Sequence, residues 1–307
     1  MTRISNAVTL LGAGTQGSRL AYMWSRLGRP VYIVDKNSNQ LSQASSTIEK
    51  LRRKESSPSD HGPIIELIAA DLDKALRESW IVIECVPENL DCKRSIIKQL
   101  DNQADPDIII ASNSSSYSIT EVCDGLEFKA DDRFVNLHSF WPPETRVLEI
   151  MGTDKTRPDI IPRLMDESRE HGFQPFHVRK SSTGYIFNRY LAQAHLFMNL
   201  TRTFAHANAH GHIRIWAAIK RETLMVLEEG IATPEEVDQM YKAVLHTPKG
   251  PCEQMDVAGL DVILAIEEHY AEVRSGIPDG PRKYLREIVD RGHLGVKTGT
   301  GFFDYDE

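Results

Sequence analysis

Cysteine is scarce in this chain. Four residues of 307, Cys85, Cys92, Cys123 and Cys252, include no CxxC pair. That spacing speaks against a zinc ribbon or a dithiol redox motif, and so few thiols in a chain this long fit a reducing compartment. Long hydrophobic runs are missing too, since none approaches the roughly 20 residues that cross a bilayer. Positive charge is in deficit: 36 Lys and Arg stand against 44 Asp and Glu, a net charge of -8. Nucleic acids and anionic membranes bind clustered cations, so neither is expected as the main partner. The first apolar run begins at residue 7, which leaves no room for a signal or transit peptide. The expectation is a cytoplasmic protein without membrane attachment.

What is present is ordinary globular composition, 41% hydrophobic and 26% charged. The length allows one large domain or two. AVTLL (residues 7–11) reads as a buried strand, and Gly12-Ala13-Gly14-Thr15-Gln16-Gly17 follows at once. Apolar residues then recur at Leu20, Ala21, Trp24 and Leu27, which is helical spacing. VYIVD (31–35) is a second strand, closed by Asp35. A lone GxGxxG is weak, but here it joins a strand to a helix, with an acid at the end of the next strand. Gly12 permits the tight turn, Gly14 lets backbone approach a pyrophosphate, and Gly17 lets helix and strand pack closely. The N–H groups of the helix start, at Thr15 and Gln16, face the phosphates. Asp35 then favours NAD over NADP, because a carboxylate accepts from the ribose 2′-hydroxyl and repels a 2′-phosphate, a repulsion that the adjacent Lys36 softens.

Further apolar runs at 80–86, 107–112, 133–138 and 176–178 alternate with helical patterns. That order predicts a doubly wound parallel sheet of Rossmann type with helices on both faces. Ligands in such sheets lie at the C-terminal strand ends. Three polar segments fall there: Pro87-Glu88-Asn89, Asn113-Ser114-Ser115-Ser116 and His138. Taken singly, the serine run reads as a capped turn, and His138 as a partly buried histidine bonded to backbone. Taken together, they read as one polar cluster beside the dinucleotide. Residues 137–150, LHSFWPPETRVLEI, place Glu149 eleven positions after His138, across Pro142 and Pro143.

In these motifs the chain resembles the L-3-hydroxyacyl-CoA dehydrogenase family over nearly its whole length. The ordered blocks are LLGAGTQG with Asp35, ECVPENLDCK, ASNSSS, LHSFWPPETRVLEI, STGYIFNR, GPCEQMDVAGLD and GVKTGTGFFDY. The resemblance implies an NAD-dependent dehydrogenase of a 3-hydroxyacyl substrate, with a CoA thioester as the leading candidate. Alternatives inside the resemblance are a free hydroxy acid, a sugar acid, or a member repurposed for binding. It implies that His138 is the catalytic histidine and Glu149 its orienting glutamate, with Ser115 and Asn188 contacting the reacting oxygen. Glu88, Lys93 and Asn113 line the nicotinamide end of the cofactor site on the same grounds. A histidine near neutral pKa suits proton removal from a secondary alcohol. No metal is implied.

The match has departures. The His-to-Glu spacing is eleven, where the family usually has twelve. Trp141 stands where many members carry asparagine, so an indole beside the histidine is expected to reshape the acyl pocket. The stretch after the second strand is shorter than in the fatty-acid enzymes, where a helical hairpin helps hold CoA. A basic run at 50–54, KLRRK, either meets CoA phosphates or is a solvated helix face.

From Gly184 onward helical periodicity takes over. The expected division is 1–183, the NAD-binding domain, and 184–307, an all-α domain that the resemblance assigns to substrate closure and homodimerisation. Gly230 ends one helix, and Thr233 with Pro234 opens another. Asn188 and Gly230 are 42 positions apart, about two dozen more than the family pattern, which implies an insert at about residues 190–214. His195, His206, His210 and His212 fall within it, without the acids or cysteines that would make a persuasive metal site.

Overall fold

The computed structural model describes residues 6–55, 60–189 and 210–305. The chain forms two compact units, Met1–Thr183 and Gly184–Glu307. The first is built on a sheet of eight strands: β1 (Ala7–Leu11), β2 (Val31–Asp35), β3 (Ile64–Ile68), β4 (Ser79–Glu84), β5 (Ile109–Ser112), β6 (Phe134–Trp141), β7 (Thr145–Met151) and β8 (Gln174–Val178). Their order across the sheet is β3-β2-β1-β4-β5-β6-β7-β8. Every pairing is parallel except β6 with β7.

The apolar runs are continuous because both faces of the sheet are covered. Successive side chains point to opposite faces, and each face has its own core. Val8 and Leu10, Ile81 and Ile83, Ile109 and Ala111, and Val135 and Leu137 enter one core. The residues between or beside them, Leu11, Val82, Ile110 and Phe134, enter the other. The first core is closed by α1 (Thr15–Trp24), α2 (Ser38–Arg53) and α6 (Ile160–Glu170). The second is closed by α3 (Leu72–Leu76), α4 (Leu90–Gln103) and α5 (Ile119–Cys123). This is the doubly wound sheet that the alternation predicts, with two additions. β3 is an edge strand, half-buried and carrying Glu66. β7 reverses direction, because the short turn at Pro142 and Pro143 can only return the chain antiparallel.

In the second unit, residues 187–189 are helical, and from residue 210 onward the described residues form five α-helices: α7 (His210–Glu228), α8 (Pro234–Leu245), α9 (Pro251–Ala258), α10 (Leu260–Val273) and α11 (Gly280–Val289). A capping box opens α8. Glu236 N donates to Thr233 Oγ1 at 3.3 Å, and Thr233 N donates to Glu236 Oε2 at 2.9 Å, with Pro234 at the first helical position. Asp238 of α8 caps α9, accepting from Cys252 N at 2.8 Å and Glu253 N at 2.7 Å. The C-terminal segment is tied down by Asp256, which accepts from Phe302 N, Phe303 N and the Tyr305 hydroxyl. Most of the inferred insert lies outside the described residues, as do His195 and His206.

Candidate active site

The glycine turn is set by close backbone contact. Gly12 has φ +111°, and a Cβ there would lie 2.6 Å from the Cys85 carbonyl oxygen, so only glycine fits. A Cβ on Gly17 would lie 1.9 Å from the Gly12 carbonyl oxygen. Gly14 is different. It meets nothing within 4 Å, so the space above the turn stays open for a ligand's approach to the α1 N-terminus. Thr15 is exposed at that helix start. Asp35 is fixed beside the turn, accepting from Ala13 N at 2.8 Å and Asn37 N at 2.9 Å. An open glycine turn, a helix start without acidic residues and a pinned carboxylate fit the phosphates and ribose of NAD.

Gln16 reaches sideways from α1. Its Nε2 donates to the Phe140 carbonyl at 2.7 Å, with the Ser139 carbonyl at 3.3 Å. Its Oε1 is buried without a partner among the described residues. Asn113 Oδ1 accepts from Ser139 N at 2.9 Å and Ser139 Oγ at 2.8 Å.

The strand ends are knitted together by carboxylates. Glu88 Oε1 gathers the Asn113–Ser116 turn, accepting from Ser114 Oγ at 2.6 Å, Ser115 N at 3.1 Å, Ser116 N at 2.9 Å and Ser116 Oγ at 2.7 Å. Ser115 itself is exposed, and its Oγ is 3.5 Å from the same oxygen. Partial burial opposes the Glu88 charge. The Ser114 and Ser116 hydroxyls, the Ser116 N–H and Lys93 outweigh it and hold the carboxyl at about 2. Lys93 is buried, its ammonium 2.9 Å from Glu84 and 3.1 Å from Glu88. Burial works against that charge too, but the two glutamates prevail and raise its pKa. Ser112 Oγ completes the group by donating to Glu84 Oε2 at 2.7 Å. Lys93 therefore meets the loop through Glu88, from beneath.

His138 and Glu149 face each other across the antiparallel β6–β7 pair. Directly opposed residues share a face, and the His138 Nδ1 to Glu149 Oε2 distance is 2.8 Å. Both are buried, at 5% and 0% exposure. Because the carboxylate only accepts, the shared proton sits on Nδ1, which makes Nε2 the basic nitrogen. Glu144 lies at the hairpin turn, mostly exposed, and bonds Arg19 of α1 at 2.6 Å. The ring beside His138 is Phe140, with centroids 5.0 Å apart. Trp141 is 47% exposed, and the Arg19 guanidinium lies 4.0 Å from its ring centre. The expectation of an indole against the histidine is thus corrected: strand alternation gives that face to residue 140. Asn188 belongs to the second unit and is half-buried there.

Three residues of this cluster escaped the sequence reading. Glu84 ends an apolar run nine positions before Lys93, and an acid inside a buried strand demands a partner; that signal was available. Ser139 and Arg19 carried none, because their partners lie on other elements: Asn113 is 26 positions from Ser139, Gln16 is 123 away, and Glu144 is 125 from Arg19. Of the basic run, Arg52 bonds Ser25 Oγ and the Gly62 carbonyl, while Lys50, Arg53 and Lys54 are exposed. Among the described residues, no group of three or more His, Cys, Asp or Glu is arranged to hold a metal ion.

Comparison with known proteins now decides the family. Residues 7–181 match the NAD binding domain of 3-hydroxyacyl-CoA dehydrogenase, and residues 212–305 match its C-terminal domain. The chain belongs to the 3-hydroxyacyl-CoA dehydrogenase family. It is 28% identical to the mitochondrial hydroxyacyl-coenzyme A dehydrogenase of Homo sapiens, over 97% of this chain and 90% of that protein. Among solved structures it is similar to (S)-3-hydroxybutyryl-CoA dehydrogenase of Ralstonia eutropha, at 29% identity and a TM-score of 0.54, over 98% and 99% of the two chains. A diketoreductase described as acting on dicarbonyl compounds is also 29% identical, with a TM-score of 0.55, over 99% and 100%. The protein is thus an NAD-dependent oxidoreductase of the 3-hydroxyacyl-CoA dehydrogenase type. The two family matches leave residues 182–211 between them.

Proposed function

We propose that this enzyme interconverts the 3-hydroxy and 3-keto forms of an acyl-CoA thioester, with His138 as general base and Glu149 as its orienting carboxylate. The observation that carries this reading is the 2.8 Å contact between His138 Nδ1 and Glu149 in a buried strand pair. A carboxylate on Nδ1 fixes the tautomer and stabilises the imidazolium formed when Nε2 takes the alcohol proton. Bound NAD supplies or accepts the hydride. Ser115 and Asn188 are assigned to the reacting oxygen by the family resemblance, and Asn113, Glu88 and Lys93 to the nicotinamide end. The geometry supports a division within that last set: Glu88 holds the serine turn, and Lys93 holds Glu88. The test is NADH absorbance across a panel of acetoacetyl-CoA, longer 3-ketoacyl-CoAs and free keto acids. Turnover that requires the thioester is the expected result.

A second reading, a dehydrogenase of a free hydroxy acid or sugar acid, is favoured by one observation. α2 is a single helix ending at Arg53, and no second helix precedes β3 among the described residues, where the resemblance expects a hairpin that helps hold CoA. Turnover of free acids in the same panel would select it.

Two further assignments belong to this proposal. The enzyme is a homodimer: Val262 and Ile266, one turn apart on α10, present exposed apolar surface in the second unit. Its compartment is the cytoplasm. Four free thiols support a reducing environment, and no described helix is long and apolar enough to cross a membrane. The human relative's name is mitochondrial, so cell fractionation is the check.

A further inference from the structure

Ser139 lies next to His138 in β6 and is buried, at 3% exposure. Its backbone and side chain join three segments that are far apart in sequence. The N–H and the hydroxyl both donate to Asn113 Oδ1, at 2.9 and 2.8 Å. Asn113 N in turn donates to the Glu84 carbonyl at 2.9 Å, so the serine turn starts from a fixed point on β4. From the other side Gln16 Nε2 approaches the Ser139 carbonyl at 3.3 Å and Ser139 Oγ at 3.4 Å, and bonds the next carbonyl, Phe140, at 2.7 Å.

The chemistry of these atoms fixes their orientation. A backbone N–H only donates, so Asn113 must turn Oδ1 toward Ser139. A carbonyl only accepts, so Gln16 must turn Nε2 toward Phe140. A hydroxyl can donate to Asn113 and accept from Gln16 at once, which no apolar side chain of similar size can do. The pairing of β6 with β7 also loses its regular register between Ser139 and Trp141. The strand is therefore held on the His138 side of that irregularity by Gln16 and Asn113 in addition to its ladder.

Resting on the reading of His138 as the base, we propose that Ser139 is a positioning residue for this reaction. It couples the glycine-turn helix and the serine turn to the backbone that aims the His138–Glu149 pair. Ser139 acts through its neighbours and does not touch substrate.

The test is S139A, with N113A removing the same bond from the other side and S139T restoring the hydroxyl. Three quantities are read in each: kcat against KM, NADH affinity by fluorescence, and the NMR signal of the proton in the His138 Nδ1–Glu149 hydrogen bond. S139A should lower kcat about tenfold, the equivalent of one hydrogen bond, with KM and NADH affinity within about twofold. Its bridging-proton signal should move upfield or be lost, because a loosened strand weakens the Glu149 contact. N113A should move the signal the same way, and the double variant should be no worse than the poorer single one. S139T, or any hydroxyl variant that folds, should return the signal toward the native position. An unmoved signal and unchanged kcat in S139A would overturn the proposal. So would losses from S139A and N113A that simply add, since independent sites are additive. The proton signal needs no substrate, so it decides the positioning role separately. Failure of the base assignment would appear instead as full turnover in His138→Ala.

Discussion

Asp35 and Glu149 are both carboxylates at strand positions, and their surroundings give them different work. Asp35 is held by Ala13 N and Asn37 N at the edge of the glycine turn, where the proposed role of its carboxylate is to discriminate between ribose hydroxyl and phosphate. Asp35→Ala should therefore narrow the preference for NADH over NADPH, measured as the ratio of the two dissociation constants. Equal binding of both cofactors by the unmodified protein would remove the basis for this role. Glu149 is buried opposite His138, whereas Glu144 bonds Arg19 near the surface. Glu149→Gln should thus cut kcat and displace the pH–rate profile, while Glu144→Gln should leave the rate within about twofold, as exposed ion pairs contribute little. A larger loss in Glu144→Gln would mean that the hairpin presents a different partner to the histidine.

At the scale of elements, what was legible in the sequence was what is local. β1, the glycine turn, α1 and Asp35 lie within about thirty residues, and each announces itself by composition or spacing. Glu149 was legible through the family resemblance, and the antiparallel pairing of β6 with β7 is what opposes it to His138. β3 was not legible, because a half-exposed edge strand with Glu66 at its centre lacks the continuous apolar run of the buried strands. The Lys93 contact with Glu84 crosses from α4 to β4, and the Gln16 contact with Ser139 crosses 123 positions; side-chain bonds of that kind leave no periodic trace. One helix cap carries a pH consequence. Burial raises the Asp238 carboxyl to about 6 against its ordinary 3.8, although Glu253 N and Cys252 N donate to it. A group whose folded pKa is raised stabilises the fold most when protonated, and that contribution is lost as pH climbs from about 4 to about 6. A displacement of this size corresponds to about 3 kcal/mol between the two protonation states. Thermal melts of the native protein and Asp238→Asn should show the native advantage shrinking across that range. A constant difference would mean that the carboxyl titrates normally in the fold.

At the scale of the whole molecule, the stretch at about residues 190–214 separates Asn188 from the helices matched to the family's C-terminal domain. Deleting that stretch rejoins Asn188-Arg189 to IWAAIKRETLMVLEEG in the spacing the family uses. The shortened protein should stay folded, keep the native protein's oligomeric state by light scattering, bind NADH, and keep or gain turnover. A folded, NADH-binding product of native oligomeric state but without turnover would show that the stretch belongs to catalysis. Asn188→Ala should lower kcat while leaving NADH affinity intact. The kinetic expectations for Glu149 and Asn188 rest on one claim, that the buried pair across β6 and β7 moves the substrate proton. The most direct measurement is single-turnover NADH oxidation with acetoacetyl-CoA by the native enzyme and by His138→Ala, with NADH affinity recorded on the same samples. In His138→Ala the rate should fall by about 10²–10⁴-fold at unchanged NADH affinity; NADH oxidation at the native rate would rule out His138 as the base.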